Sequence, residues 1–271
     1  TSWTESEAGP LGAVSAIVQD SAGYLWVGTS AGLFRFDGAR FVPWEMLGDA
    51  PLPASPVSAL HIGRDGTLWV GLANRAGVAR INGSRVEFID AGPLRAIMAL
   101  VEDRDGTIWT VSDPELYRLR DKTWERVAVR SQERNVRVVN AGILPDGHLW
   151  AGSPSGLFVT RNAGSSFARQ AEGWVWSVSH DAAGDRWVTD INRAFRRPTE
   201  ITNPRTNVEG NGYRVLHDSH GALWVATIGE GLWRVRDSNA PIPLIEKATL
   251  HSGIFSDSVQ SLLEDRDGNL W

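Results

Sequence analysis

Short apolar segments recur along the chain, and polar turns rich in Asp, Gly and Ser separate each segment from the next. The first example runs from an aliphatic segment at residues 14–18, through a turn at residues 20–23, to a second apolar segment at residues 25–27. Asp accepts hydrogen bonds from the backbone of its own turn, and Gly adopts the positive φ that such turns need. Helical periodicity is nearly absent. Segments of this length, with turn signals at intervals of about 8 to 12 residues, predict an all-β fold.

The turn and the strand that follows it recur in register. Seven tryptophans share one context, a glycine lies three residues before each of them, and in five copies an aspartate lies six residues before. The tryptophans are Trp26, Trp69, Trp109, Trp150, Trp187, Trp224 and Trp271, and the aspartates are Asp20, Asp103, Asp181, Asp218 and Asp265. Consecutive tryptophans lie 37 to 47 residues apart. This period, with four strands in each copy, is typical of a β-propeller blade.

We therefore predict a single β-propeller domain over residues 1–271, built of four-stranded antiparallel blades. Seven copies predict seven blades, with the repeated tryptophans packed between neighbouring sheets. The fourth strand of a blade carries an aromatic residue at Phe41, Phe88, Trp124 and Phe167. Because the chain stops at Trp271, inside the second strand of the seventh copy, that blade is incomplete, and we expect the parent polypeptide to continue. Trp3 is a candidate outer-strand aromatic for the last blade.

The repeat, D-x-x-G-x-L-W-V-G-T-x-x-G-L-x-R in its fullest copy around Trp26, resembles the two-component regulator propeller repeat over nearly the whole chain. The fifth copy departs most, because residues 190–193 replace its Gly-Thr turn. The resemblance implies a periplasmic sensor region of a bacterial membrane protein, followed there by a transmembrane helix and a histidine kinase or diguanylate cyclase. It also implies that the partners are the rest of the parent protein, a ligand and, in a homodimer, a second copy.

Composition narrows the function classes further. The chain has no cysteine, which excludes disulfides, thiolate metal sites and a cysteine nucleophile. Its formal net charge of −5 gives no attraction to nucleic acid, and no apolar run is long enough for a membrane span, so we expect this domain to contact neither. Of its 27 basic residues only Lys122 and Lys247 are lysines, so arginine dominates.

No catalytic constellation stands out from the repeat. Residues 28–32 match the G-x-S-x-G nucleophile motif, but they lie between two predicted strands rather than between a strand and a helix. The six histidines lack zinc-site spacing, and no phosphate-binding loop is present. We therefore expect a non-catalytic module without metal or cofactor. Two alternatives stay open: a propeller enzyme, either streptogramin-lyase-like or a glycoside hydrolase, and a propeller that serves as a protein-binding scaffold.

Departures from the repeat are the better guide to a ligand. The first strands of most copies begin with small or aliphatic residues, whereas those of the fifth and sixth copies begin with aromatic ones. Arg presents a planar fork suited to carboxylate or sulfate, and aromatic faces stack on sugars or other planar groups. The candidate binding residues for a small anionic or carbohydrate-like ligand are Arg95, Arg137, Trp174, Trp176, Tyr213 and Arg214. In the alternative interpretation, Trp174 and Trp176 only fill space between blades.

Overall fold

The structure is a computed structural model of the chain. It describes residues 11–74, 77–131, 134–162, 166–182, 184, 186–190, 193–195, 208–238, 240, 243–254 and 256–271. Trp3, the candidate outer-strand aromatic, lies outside the described residues. So do residues 191–192 of the unusual turn in the fifth copy.

The chain divides into two compact units. Unit 1 comprises Thr1–Arg130 and Arg137–Leu149, and unit 2 comprises Ser131–Val136 and Trp150–Trp271. Unit 1 contains three four-stranded antiparallel sheets whose strands pair in chain order. Their strands are β1 (Val14–Gln19), β2 (Leu25–Thr29), β3 (Gly32–Phe36) and β4 (Phe41–Pro43); β5 (Val57–Ile62), β6 (Leu68–Leu72), β7 (Val78–Asn82) and β8 (Arg85–Ile89); and β9 (Ile97–Glu102), β10 (Ile108–Ser112), β11 (Glu115–Arg120) and β12 (Thr123–Val127), with a 3-10 helix at Trp44–Met46 after β4.

The remaining strands continue the same pattern, with one interruption. Sheets of four strands again pair in chain order around Trp150 and Trp224. Of the three two-stranded sheets among the described residues, one precedes these two sheets in the sequence and two lie between them. The strands are β13 (Arg130–Ser131) with β14 (Arg134–Asn135); β15 (Asn140–Ile143), β16 (Leu149–Ser153), β17 (Gly156–Asn162) and β18 (Ser166–Ala171); β19 (Ser177–His180) with β20 (Arg186–Thr189); β21 (Arg193–Phe195) with β22 (Val208–Glu209); and β23 (Gly212–His217), β24 (Leu223–Thr227), β25 (Leu232–Arg236) and β26 (Leu244–Ala248), with a 3-10 helix at Leu250–Ser252.

The predicted all-β propeller of four-stranded antiparallel blades is confirmed. Each aromatic residue expected in a fourth strand lies there: Phe41 in β4, Phe88 in β8, Trp124 in β12 and Phe167 in β18. The described residues contain five four-stranded sheets, two fewer than the predicted seven blades. The fifth copy, whose motif is broken after Asp190, forms two-stranded sheets instead. In the seventh copy, Glu264 and Leu270 form an isolated bridge.

The aspartate of the repeat closes its turn through three hydrogen bonds. In the third copy, one carboxylate oxygen of Asp103 accepts the backbone N–H groups of Asp105 and Thr107, at 2.9 and 3.0 Å. The other oxygen accepts the indole N–H of Trp109 at 2.7 Å. The same indole-to-aspartate bond joins Trp26 to Asp20, Trp224 to Asp218 and Trp271 to Asp265, at 2.7–2.8 Å. The spacing of the motif is therefore set by side chain chemistry as well as by the turn.

The repeated tryptophan packs towards the next sheet along the chain, in copies with the aspartate and in copies without it. Trp26 lies in one apolar cluster with Val57 and Val70 of the second sheet, and Trp69 lies in another with Ile97 and Ile108 of the third. In unit 2, Trp187 packs likewise against strands β23–β25. Burying a side chain of this size removes about 150–250 Å² from water, so these tryptophans supply much of the bulk between sheets. The predicted structural role of the repeated tryptophan is confirmed at these three positions.

The glycine two residues after the tryptophan allows the next sheet to approach. A Cβ added at Gly71 would lie 2.5 Å from Cγ2 and 3.0 Å from Cβ of Ile97, which is closer than carbon atoms approach. A Cβ at Gly28 would meet the Val57 side chain in the same way. These contacts are made by the first strand of the following sheet. On the same strand, the tryptophan therefore fills the space between sheets, and the glycine leaves room for the first strand of the next sheet.

Replacement of Asp103 tests the turn. Asp103→Ala removes three hydrogen bonds and leaves the indole N–H of the buried Trp109 without its acceptor. We expect the free energy of unfolding to fall by about 2–4 kcal/mol, measured by urea denaturation followed by tryptophan fluorescence. Asp105→Ala, in the same turn, is the matched control, because the contact of Asp105 runs through its backbone N–H, and it should change stability by less than about 0.5 kcal/mol. Equal losses for the two variants would contradict this role.

Candidate functional site

The six candidate residues lie at or just before the first strands of their sheets, as predicted. Arg95 and Arg137 precede β9 and β15 and belong to unit 1. In unit 2, Trp174 and Trp176 precede β19, whereas Tyr213 and Arg214 lie inside β23. The structure thus brings the last four together, and we call Trp174, Trp176 and Tyr213 the aromatic cluster.

A β-bulge sets the directions of Tyr213 and Arg214. On β23, Gly212 pairs with Thr227 and Arg214 pairs with Ala226, which leaves Tyr213 as the extra residue. The same irregularity recurs at the start of β1, β5 and β9, so it belongs to the repeat. A bulge bends its strand and redirects the side chains beside it. In the sixth copy it places the Tyr213 ring and the Arg214 guanidinium together.

The aromatic cluster is continuous. The ring centroids of Trp174 and Trp176 lie 5.6 Å apart with an interplanar angle of 46°, and those of Trp176 and Tyr213 lie 5.8 Å apart at 52°. These are tilted contacts within the favourable range for aromatic pairs. The backbone N–H of Trp176 donates to the carbonyl of Thr189 at 3.0 Å, and the Thr189 hydroxyl donates to the carbonyl of Tyr213 at 3.3 Å. All three rings are half-buried, so each packs on its neighbours and keeps part of its surface exposed.

Arg214 ends this cluster with a positive charge. Its guanidinium carbon lies 4.7 Å from the centroid of the Tyr213 ring, within the range of a cation–π contact. Burial lowers the pKa of the Arg214 guanidinium, and the neighbouring Tyr213 only partly opposes that change. No carboxylate among the described residues takes part in its electrostatic surroundings. The Arg214 side chain is therefore a half-buried cation that packs on the face of the Tyr213 ring.

Arg137 has a different environment. Its Nε and Nη2 donate to the two carboxylate oxygens of Asp113, at 3.0 and 2.8 Å. This bidentate contact raises the pKa of the Arg137 guanidinium. The side chain is exposed, and its fork is occupied by a carboxylate of the same chain. A ligand anion at Arg137 would have to compete with Asp113.

Arg95 offers less. Its side chain is exposed, and its backbone N–H donates to the hydroxyl of Ser112 at 2.7 Å. Its charge lies near Tyr117, whose pKa is raised to about 12, chiefly by burial and by the hydrogen bond it donates to Glu115. Arg95 is an accessible surface cation, and among the described residues it has no cation–π contact like that of Arg214.

Sequence reasoning missed the role of an arginine in the third strand of four sheets. This arginine is the direct cross-strand neighbour of the repeated tryptophan in four copies: Trp26 with Arg35, Trp69 with Arg80, Trp109 with Arg118, and Trp224 with Arg234. In three of the pairs the guanidinium carbon lies 5.3–5.9 Å from the indole centroid, within cation–π range. The available signal was an arginine 9 to 11 residues after the repeated tryptophan in each of these copies. These arginines are therefore assigned to the sheets rather than to a ligand.

His217, at the end of β23, is a titratable group that the repeat places in the interior. Its ring lies 6.2 Å from the Trp187 ring, and neither ring nitrogen has a hydrogen-bond partner among the described residues. Burial lowers the pKa of His217, and His180 lowers it further, whereas Asp181 and Asp218 oppose the change. The neutral imidazole is thus the form that the folded protein favours.

The comparisons with known proteins confirm the resemblance to the propeller repeat. The family model described as "Two component regulator propeller" matches residues 9–31 and 253–271, which hold the first turn and the start of the seventh copy. No curated protein matches the chain. The two matched segments lie at opposite ends of the repeat series that the sequence predicted.

Solved structures share the fold. The chain is similar to the extracellular domain of the hybrid two component system BT4673 from B. thetaiotaomicron, with a TM-score of 0.79 and 18% identity over 97% of this chain and 37% of that one. The corresponding domain of BT3049 from the same organism gives 0.76 and 16% over 100% and 40%. Virginiamycin B lyase from Staphylococcus aureus gives 0.68 and 14% over 87% and 84%. The chain thus spans about two fifths of the two-component domains, and at these identities the likeness concerns the fold.

The buried imidazole predicts a pH dependence of stability. Because the pKa of His217 is lower in the folded protein than its ordinary value of 6.5, the unfolded chain binds more protons just below that value. Stability contributed by the neutral ring should therefore be present above pH 6.5 and be lost as the pH falls towards 5. His217→Leu should reduce this loss, measured as the free energy of unfolding from pH 7.5 to 5.

The exposed His251 provides the control, and His251→Gln should retain the wild-type pH profile. Part of the acid-side loss should remain in His217→Leu, because burial also lowers the pKa of His61. A His217→Leu profile that is parallel to the wild-type profile between pH 7.5 and 5 would show that His217 does not carry the effect.

Proposed function

We propose that the chain is a ligand-sensing propeller module in the periplasmic part of a bacterial membrane-bound signalling protein. The parent would be a sensor histidine kinase, a hybrid two-component system or a diguanylate cyclase. The observation that carries the proposal is the seven-fold repeat, because its turn and strand match a regulator propeller model at residues 9–31 and 253–271. The similarity to extracellular domains of hybrid two component systems supports it.

In the intact protein we infer a propeller of seven blades. Seven tryptophans in one register and five complete four-stranded sheets support this number. The fifth and seventh copies carry the same tryptophan and turn glycine as the complete ones. The chain would then form a single propeller domain.

The module has no catalytic task in this proposal. A ligand changes the output of a sensor only if it binds one of two states of the protein more tightly than the other. The aromatic cluster and Arg214 supply the chemistry for binding, and the rest of the parent protein, alone or as a homodimer, supplies the second state. Arg95 and Arg137, which belong to unit 1, remain proposed anion-binding residues as surface cations. In this proposal the module contacts neither nucleic acid nor membrane.

Among the described residues, no helix is long and apolar enough to cross a membrane. The proposed periplasmic location rests on the similarity to extracellular domains, which the chain matches over about two fifths of their length.

The second candidate function is that of a propeller enzyme. The similarity to a lyase over most of its length favours this alternative, and a histidine variant of that lyase is described as catalytically inactive. In the described part of this chain, His217 is a buried ring against Trp187, and His251 lies exposed on a 3-10 helix. Incubating the chain with a streptogramin B antibiotic and following the substrate by mass spectrometry separates the two functions, since the sensor leaves the substrate intact.

Trp176→Ala in the full-length parent tests the sensing role. We screen small carbohydrates and organic acids for a compound that changes kinase or cyclase output, and then compare variants. Trp176 is the central ring of the aromatic cluster, so its loss should weaken the response at least tenfold. Trp176→Phe should restore part of it by keeping a ring. Phe88→Ala, which removes an exposed aromatic from β8, is the control and should respond like the wild type.

The outcomes separate binding from packing. A lower melting temperature of Trp176→Ala with unchanged ligand affinity would show that Trp176 only fills space between sheets. Deleting the propeller from the parent should abolish the response to the compound, and a response that persists without it would overturn the proposed function.

A further inference from the structure

Arg214 occupies a position that other sheets fill with a small apolar residue. It pairs across the sheet with the residue two places after the repeated tryptophan, here Ala226. The residues at the same ladder position in the first three sheets are Ala16, Ala59 and Ala99. Ala59 and Ala99 are buried, and Ala16 packs against an apolar cluster. A guanidinium has thus replaced a methyl group at a site that the fold uses for packing.

Several other arginines among the described residues lie beside carboxylates. Such pairs are Arg40 with Asp37, Arg80 with Glu87, Arg118 with Glu125, Arg126 with Glu115, and Arg137 with Asp113. Arg214 has the ring face of Tyr213 instead, and no carboxylate of the described residues lies within ion-pair distance. Partial removal of an unpaired ion from water is unfavourable. Among the residues that the structure describes, no anion therefore balances the charge of Arg214.

The Arg214 side chain keeps part of its surface exposed. Arg35 and Arg234, which lie over the repeated tryptophans, each have an Nε sealed from solvent without a partner, whereas no nitrogen of Arg214 is sealed in this way. The half-buried rings of Trp176 and Tyr213 are contiguous with Arg214. The partly exposed Arg214 thus contacts the last of three consecutive aromatic rings.

We propose that Arg214 is the anion-recognition residue of a binding site for a small organic carboxylate that carries a ring. The carboxylate accepts two parallel hydrogen bonds from the guanidinium fork, which carboxylate geometry fits. The ring of the ligand packs on Tyr213 and Trp176. This inference rests on the proposed sensing function and gives it a ligand class; an uncharged ligand held by the aromatic cluster alone would preserve that function without Arg214.

The test uses matched pairs of probes that differ in charge. The chain is titrated with benzoate and with benzamide, and with glucuronate and with glucose, and binding is followed by tryptophan fluorescence and calorimetry at millimolar probe concentrations. We expect a carboxylate to bind at least tenfold more tightly than its neutral analogue. Arg214→Gln should abolish this preference, and Arg214→Lys, which keeps the charge but loses the fork, should retain part of it. Arg85→Gln, at an exposed position of β8, is the control and should keep the full preference.

Stability without ligand gives an independent readout. If Arg214 is kept for binding, Arg214→Gln should be at least as stable as the wild type, because an unpaired cation has been removed from a half-buried position. Added benzoate or glucuronate should raise the melting temperature of the wild type and leave that of Arg214→Gln unchanged.

Three results would overturn the inference. They are a destabilised Arg214→Gln that keeps the carboxylate preference, equal affinities of charged and neutral probes for the wild type, and the absence of binding by every carboxylate probe. Sulfate in place of the carboxylates tests for a general oxyanion site, and a response to sulfate equal to that for benzoate would remove the proposed ligand class. The response of the full-length parent tests the sensing function separately, because an uncharged ligand would preserve that response without Arg214.

Discussion

The hydrogen bond from the repeated indole to the aspartate six residues earlier is the interaction that couples a turn to the packing between sheets in four copies of the repeat. It is 2.7–2.8 Å long at Trp26, Trp109, Trp224 and Trp271, and the same carboxylate also caps the backbone of its turn. One charged group therefore fixes the turn between two strands and the orientation of the largest side chain on the second strand. Desolvation opposes ionisation of Asp218, yet the hydrogen bonds from Trp224, Ala222 and His220 outweigh it and hold the pKa of that carboxyl below its usual value. The turn and the packing between sheets are thus coupled through one ionised group.

This coupling explains the unusual composition. A tryptophan held by its N–H presents its ring faces to its neighbours, and in four sheets the cross-strand neighbour is an arginine. The planar guanidinium stacks on aromatic faces better than a strongly hydrated ammonium does, which favours Arg over Lys at that place. The excess of arginine is therefore partly a property of the repeat. An arginine in this protein indicates a ligand only where it departs from the repeat.

Local spacing predicted most of the fold. The turn at residues 20–23, the strand Leu25–Thr29 and the outer-strand aromatics all depend on neighbours in the same copy, so their pattern is visible in the sequence. The fifth copy was expected to deviate because its turn residues are replaced, and its strands β19–β22 form two-stranded sheets. The candidate site was predictable only as a set of positions. That Asp113 occupies the fork of Arg137, 24 residues away, depends on where two loops meet, and no spacing in the repeat encodes it.

The contrast between Arg137 and Arg214 shows that position in the repeat does not predict the partner of a guanidinium. Both residues were chosen because they depart from the repeat near the start of a first strand, yet one is bound to a carboxylate of the chain and the other to an aromatic ring. An internal ion pair satisfies a guanidinium permanently, so a ligand gains little there. A half-buried guanidinium without a carboxylate destabilises the folded protein, because its charge is partly removed from water. An anion that binds it offsets part of this desolvation free energy. Selection for stability alone would favour the alanine found at this position in three other sheets, so the retained charge points to binding rather than to packing.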